Sequence, residues 1–227
     1  VRLADNIVTT GPEGLTLSIL SAGPIAERYL TKAGVDIANG AAVDLSLKEL
    51  RADLSKVAPT AGASGVKPAP DLRALAALVS VSIGQTQGSM KLPNEPQRTP
   101  FTLQPVTLLL DASNLANAAR VTASGSAFMS GSPAGTLAAE ISASVLDAAG
   151  APVKGIPANL NGTFSLRNAS TKALQPLASA SGLVLAEDIG ETLNIEGWAK
   201  PSATAGHTDV SFSANAQKLQ IGAQLDL

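Results

Sequence analysis

The sequence has no cysteine, a single histidine (His207), one tryptophan (Trp198) and one tyrosine (Tyr29) in 227 residues. Without thiols there is no disulfide scaffold and no thiolate metal site. One histidine leaves almost no inventory for a catalytic triad or a zinc centre. Aromatic residues make up only 3% of the chain, too few for the stacking platforms of a carbohydrate binder, and calcium lacks its Asp/Asn/Gly loop spacing. Charged residues are also sparse at 15%, with a net charge of −2 and no long run of one sign. This gives no electrostatic case for nucleic acid or an anionic membrane surface. No apolar stretch is long enough to span a bilayer and no signal peptide is visible. The chain begins at Val1 rather than Met. This predicts a processed protein or a piece of a longer parent chain, with membrane contact only through segments that are not in it.

No Gly-x-Ser-x-Gly elbow, Walker loop or His-Glu-x-x-His motif occurs. His207 has Asp209 two residues on, but it sits in the Ser/Thr/Gly-rich segment 201–208 and reads as an exposed loop histidine. Glu187, Asp188, Glu191 and Glu196 form the densest acidic group. They straddle a probable link and a strand start, so they read as solvated carboxylates rather than a glycosidase pair. Asn161-Gly162-Thr163 and Asn168-Ala169-Ser170 match glycosylation acceptors, a pattern frequent by chance. Trp198 and Phe212 read either as a binding patch or, as large residues at strand positions more often are, as core. The sequence therefore predicts a protein that is not an enzyme, with no catalytic, cofactor-binding or metal-binding residues.

What the chain does have is alternation. Hydrophobic residues reach 45%, almost all of them Leu, Val, Ile and Ala. In the last twenty residues Val210, Phe212, Ala214 and Ala216 alternate with Ser211, Ser213 and Asn215. After Gln217-Lys218 the parity changes to Leu219, Ile221, Ala223, Leu225 and Leu227. Period two marks a strand with one dry and one wet face, and the parity change requires a turn or a bulge. The same pattern appears at Leu15, Leu17 and Ile19, and at Val43, Leu45 and Leu47. There Lys48-Glu49 shift the parity to Leu50, Ala52 and Leu54. It continues through Val79 to Ile83, Phe101 to Leu110, Ala119 to Met129, Leu137 to Val145, Phe164 to Leu166 and Leu193 to Ala199.

Breaks in the alternation predict the remaining elements. Helices are expected at about Pro24–Ala33, with Pro24 in the first turn, at Leu72–Leu78 behind an Asp71 cap, and at Thr171–Ala180 with Leu174 and Leu177 inward. Asn39-Gly40 predicts a hairpin, and Gly84–Gly88, Ser130–Pro133 and Asp147–Gly150 predict turns. Exposed, mobile loops are expected at 56–70 and 93–100, the latter with three prolines. The expected fold is mainly β: an antiparallel meander forming a curved sheet, an open groove or a sandwich, with two or three short amphipathic helices. It is read as one domain over 1–227, with a sub-division into 1–92 and 101–227 as the alternative. The stretches 24–47 and 171–199 are loosely alike, by internal repetition or by chance.

The segments GLTLSIL (14–20), ANGAAVDLSLKELRADLS (38–55), ALQPLASASGLVLAEDIGETLNIEGWAKP (173–201) and DVSFSANAQKLQIGAQLDL (209–227) resemble those of AsmA/TamB-like bacterial envelope proteins. The likeness lies in runs of small-residue strands, Gly/Asn turns and the closing strand pair, over about half of the chain. It implies an open β-groove in the bacterial cell envelope, periplasmic or at the surface, and a part in lipid transport or outer-membrane biogenesis. No catalytic motif belongs to the resemblance. An apolar sheet face must be covered by something. If the helices leave part of it open, lipid acyl chains are the expected partner, and Val210, Phe212, Leu219, Ile221, Leu225, Leu137, Ile141 and Val145 are the expected lipid-facing residues. The alternative is a filled core in a structural or adhesive β-sandwich of a surface protein with no small ligand.

Overall fold

A computed structural model describes residues 1–11, 13–19, 34–39, 42–58, 69–157, 159–178 and 182–227. The described strands form one antiparallel sheet of fifteen strands, an open curved layer and not a pair of packed sheets. At one edge β1 (Arg2–Ala4) and β2 (Ile7–Thr9) form a hairpin. Its turn residues Asp5 and Asn6 both have positive φ, at 49° and 63°, as a type I′ turn requires. β2 pairs with the end of β5 (Val43–Asp53), and β3 (Leu15–Ile19) pairs with its start. From β5 the main ladder runs through β6 (Leu75–Ile83), β9 (Val106–Ala112), β10 (Ala119–Met129), β11 (Ser132–Ala143) and β12 (Asn161–Ser170). It ends on β13 (Thr192–Pro201), β14 (Thr208–Ala216) and β15 (Leu219–Asp226).

Three shorter strands lengthen the sheet at one end. β4 (Val35–Asn39) pairs with β7 (Thr86–Met90), β7 with β8 (Thr99–Leu103), and β8 with the Ala127–Met129 end of β10. The β6–β7 and β8–β9 legs are single long strands, each broken once. The breaks fall at Gly84-Gln85 and at Gln104-Pro105, where Pro105 has no N–H to give the ladder. Backbone bonds from Gly84 N to Ala42 O (2.8 Å) and from Gln104 N to Ser126 O (2.9 Å) carry the pairing past both breaks.

Several local expectations are corrected by this pairing. Asn39-Gly40 does not close a hairpin, because β4 lies on β7 and β5 on β6, so the two run in the same direction along one leg. Gly84–Gly88 does not reverse the chain either; Thr86 to Met90 is already strand. Leu72–Leu78 is not a helix. Asp71 accepts from Arg73 N and caps only a 3-10 turn at Leu72–Ala74, and from Leu75 the backbone joins the ladder, with Leu75 opposite Ala52 and Ala77 opposite Leu50. Lys48-Glu49 is a bulge within β5, which keeps Leu50 and Ala52 on the face of Leu45 and Leu47. Gln217-Lys218 is a tight turn. The helix expected at Pro24–Ala33 and most of the loop expected at 56–70 lie outside the described residues.

The described helices are α1 (Leu54–Val57), α2 (Thr171–Ala178) and α3 (Leu185–Asp188). α2 follows directly from β12 and buries Thr171 and Gln175, one turn apart, instead of Leu177, which is 84% exposed. The Thr171 hydroxyl donates to Gly190 O at 2.6 Å, and Gln175 bridges Leu183 O and Leu185 N, tying α2 to α3. The compact core is small. Val35, Met90, Leu92, Met129 and Ala134, with Phe101, Ala127 and Ala173 against them, gather where β4, β7 and β8 meet α2.

A candidate apolar binding face

Antiparallel register decides which side chains share a face, since directly opposed residues point the same way. Leu17 opposes Leu45, Leu45 opposes Val81, Val81 opposes Leu108, Leu108 opposes Ala123, and Ala123 opposes Ala139. The row continues from Ala139 to Phe164, Gly197, Phe212 and Ala223. One unbroken apolar row therefore crosses ten strands, from β3 to β15. Parallel rows through Leu47, Val79, Leu110, Val121, Ile141 and Gly162, and through Ile195, Ala214 and Ile221, widen it.

This face is not filled in. Leu17 (60% exposed), Leu108 (42%), Ile141 (42%), Phe212 (41%), Ile221 (48%) and Leu225 (55%) all lie on it. Large apolar side chains at such exposure, ranged on one side of one layer, differ from the singly scattered apolar residues of ordinary surfaces.

Two hollows mark the face. One, of about 260 Å³, lies over Gly162 and Gly197 and is bounded by Ile141, Leu160, Phe164, Ala199, Val210 and Phe212. Its origin is in the register. Gly197 stands between Phe164 and Phe212 on adjacent strands, so the missing side chain leaves a gap between two rings. The second, of about 220 Å³, opens where α2 meets the sheet, over Gly125 and Gly135 and beside Leu103, Leu137, Leu166 and Leu174. A Cβ on Gly125 would come within 2.9 Å of Val106 Cγ2, and one on Gly135, at φ +135°, within 2.9 Å of the Ala169 backbone. These glycines thus allow close packing beneath the hollow.

The opposite face is polar, with Ser80, Thr107, Thr122, Ser165, Ser211 and Gln224 among its members. Arg120–Glu140 (2.6 Å) and Arg167–Glu196 (3.0 Å) are cross-strand ion pairs on it, all half-exposed and so of small energetic weight. Trp198 also lies there, opposite Thr163 and Ser211, with Lys200 Nζ 4.6 Å from its ring centre. Neither Trp198 nor Phe212 fills a core: Phe212 stands on the apolar face, as its place among the expected lipid-facing residues required, and Trp198 on the polar one.

Seven of the eight expected lipid-facing residues share the apolar face: Leu137, Ile141, Val210, Phe212, Leu219, Ile221 and Leu225. Val145 does not, because β11 ends at Ala143 and Val145 turns into a loop closed by the Leu146–Pro152 bridge. The sequence reading left out the N-terminal half of the face, above all Leu15, Leu17, Leu45, Ile83, Leu108 and Leu110. Their alternation is the signal that would have found them.

The polar residues singled out from the sequence do not converge. His207 Nδ1 is 3.1 Å from Asp226, not paired with Asp209. Glu187 and Asp188 lie in α3, where Asp188 accepts from Val184 N, while Glu196 is engaged by Arg167 across the sheet. Among the described residues no three metal-ligating side chains cluster. No described helix is long and apolar enough to cross a membrane. Compared with protein families, with characterised proteins and with solved structures, the chain matches none.

Proposed function

We propose that this chain is a non-enzymatic, AsmA/TamB-like module of the bacterial cell envelope that binds or shields lipid acyl chains on its apolar sheet face. The supporting observation is the apolar row across ten strands, on which Leu17, Leu45, Leu108 and Phe212 stand exposed. At about 4.8 Å per strand it extends roughly 40 Å, more than the length of one leaflet's acyl chain, about 15 Å. Acyl chains suit such a surface because they need no directional partner, and each methylene removed from water contributes about 0.8 kcal/mol. The hollow between Phe164 and Phe212 gives a bend or branch in such a chain a place to sit. A ligand with polar groups to satisfy would find no partner on this face. The polar reverse face, with its Ser, Thr and ion pairs, suits an aqueous periplasmic setting. A structural or adhesive sandwich would bring a second sheet against the apolar one, and the described strands form a single sheet.

Native mass spectrometry of the purified chain, with organic extraction, tests this reading. Phospholipid or another acyl-chain lipid is expected to co-purify. It is expected to be lost in Phe212→Asp/Ile221→Asp while circular dichroism stays unchanged, because both side chains are already nearly half-exposed. An apo mass with no uptake of a fluorescent phospholipid would reject lipid binding.

A further inference from the structure

The polar face carries the chain's one indole beside a hollow that binding on the apolar face leaves unused. Two rows of opposed residues meet there, Thr163–Trp198–Ser211 and Ser165–Glu196–Ser213, with Arg167 at one end. Together they bound a hollow of about 360 Å³, near the lower end of the roughly 300–1,000 Å³ usual for small-ligand sites. Lys200 Nζ stands over the Trp198 ring at 4.6 Å, outside the hollow, so the ammonium steadies the indole while the ring still borders the hollow. The hydroxyls of Thr163, Ser165, Ser211 and Ser213 have no hydrogen-bond partner among the described residues. Arg167 places Nε at 3.1 Å and Nη2 at 3.0 Å from the same Glu196 oxygen, Oε1. That leaves Glu196 Oε2 as an acceptor and Arg167 Nη1 as a donor with no partner among the described residues.

We propose that this hollow is a subsite for one ring of a neutral saccharide, with Trp198 as its stacking wall. A pyranose has a patch of C–H groups on its ring face and hydroxyls around its rim. It therefore asks for a flat apolar surface beside mixed donors and acceptors. The hollow supplies both: the indole for the C–H face, and the Ser and Thr hydroxyls, Glu196 Oε2 and Arg167 Nη1 for the rim. Each protein hydroxyl can donate or accept, which suits a ligand whose own hydroxyls do the same. Charge narrows the class. Arg167 and Glu196 cancel, so the lining has no net charge to hold phosphate, sulfate or a carboxylated sugar. The backbone argues against a peptide: β12, β13 and β14 are laddered on both sides, so no main-chain edge is open here for strand addition. A single indole does not make the row of rings that follows a polysaccharide, which limits the site to one sugar ring. The inference rests on the polar face and does not depend on what the apolar face binds.

Trp198 is the chain's only tryptophan, so its fluorescence and its single indole N–H resonance both report on this hollow. Maltose, cellobiose, lactose and N,N′-diacetylchitobiose are the probes. At least one is expected to shift both signals saturably, with a Kd on the order of 1 mM, the range of a single small contact surface. Arg167→Ala/Glu196→Ala keeps the reporter and is expected to weaken that binding roughly tenfold. The pair is half-exposed, so this variant is expected to keep its circular dichroism. Lys48→Ala/Glu49→Ala, the same charge change on exposed residues of β5, is expected to leave binding unchanged. Trp198→Leu, read from the sugar side by saturation-transfer NMR, is expected to lose it. The proposal is overturned if none of the four sugars shifts the Trp198 signals up to about 50 mM, well above that Kd. It is equally overturned if the shift does not saturate, if it survives undiminished in Arg167→Ala/Glu196→Ala, or if inorganic phosphate or a proline-rich peptide gives it in place of the sugars.

Discussion

Asp71 and Gly150 show how much of this open layer depends on single residues. The Asp71 carboxylate takes Arg73 N at 3.0 Å and the Arg73 guanidinium at 2.8 Å, and Arg73 in turn donates to Ala148 O at 2.9 Å. Leu72 N donates to Gly150 O, which pins the 147–150 turn to the start of β6. A Cβ on Gly150, at φ +82°, would meet Asp71 Oδ1 at 2.2 Å. Gly150→Ala is therefore expected to destabilise the fold by about 1–2 kcal/mol, the cost of left-handed backbone in an L-residue, with the displaced Asp71 adding to it. Urea unfolding checks the value. The hydrogen bond from Arg73 lowers the Asp71 carboxyl to about 2. A carboxylate depressed in the folded state stabilises above its ordinary value near 4 and loses that contribution as pH falls toward the folded value. The clamp's contribution to stability is thus expected to be complete above about pH 4 and to fade between about pH 4 and pH 2, the clamp itself opening near pH 2. An NMR titration of the Asp71 carboxyl would show its midpoint near 2 if this is right and near 4 if the clamp does not form in solution.

α2 shows the difference between an element's existence and its orientation. Ser170-Thr171 marked its start, and the apolar residues at 174 and 177 marked an inward side. The buried pair is Thr171 and Gln175 because α2 docks by hydrogen bonds to Gly190, Leu183 and Leu185, partners that local periodicity does not show. Gln175→Leu takes the partner from the part-buried Leu183 carbonyl and Leu185 amide, and is expected to cost about 1 kcal/mol. Leu177→Lys is expected to fall within about ±0.5 kcal/mol, since Leu177 already stands in water. Thermal or denaturant unfolding of the two variants side by side distinguishes this docking from an apolar one, which would reverse their order. The same limit explains Asn39-Gly40 and Gly84. Both are local turn signals, and neither closes a hairpin: β4 and β5 pair with β7 and β6, and at Gly84 the chain runs straight on, with Gly84 N bonded to Ala42 O on the neighbouring leg. Period-two alternation, by contrast, is a strand's own property. So Leu45-Leu47, the Lys48 bulge and the β14–β15 turn were legible, and with them seven of the eight candidate face residues. Val145 was not, because parity carries on past Ala143 where the ladder does not.

At the scale of the whole molecule the surface area carries the argument. Compact monomers of 22.7 kDa expose roughly 9,500 Å² by the usual size scaling, whereas this chain exposes 13,699 Å². One layer with an uncovered face explains the direction of that difference, and no alternation in the sequence reveals it, since a sandwich core and an open face read alike residue by residue. The difference has a solution signature. The unfolded chain exposes roughly 33,000 Å², so unfolding this structure adds about 19,000 Å² where a compact domain of the same mass adds about 23,000 Å². The urea m-value follows the area exposed, so the delipidated protein is expected to show a slope about one-fifth below that of a compact domain of equal length. Acyl chains lying along Leu17, Leu108, Phe212 and Ile221 would cover that face and raise the midpoint with lipid concentration, by mass action. A full-sized slope in the delipidated protein would instead mean that the chain covers its own apolar row in solution, and lipid binding on that row would then have to compete with the cover.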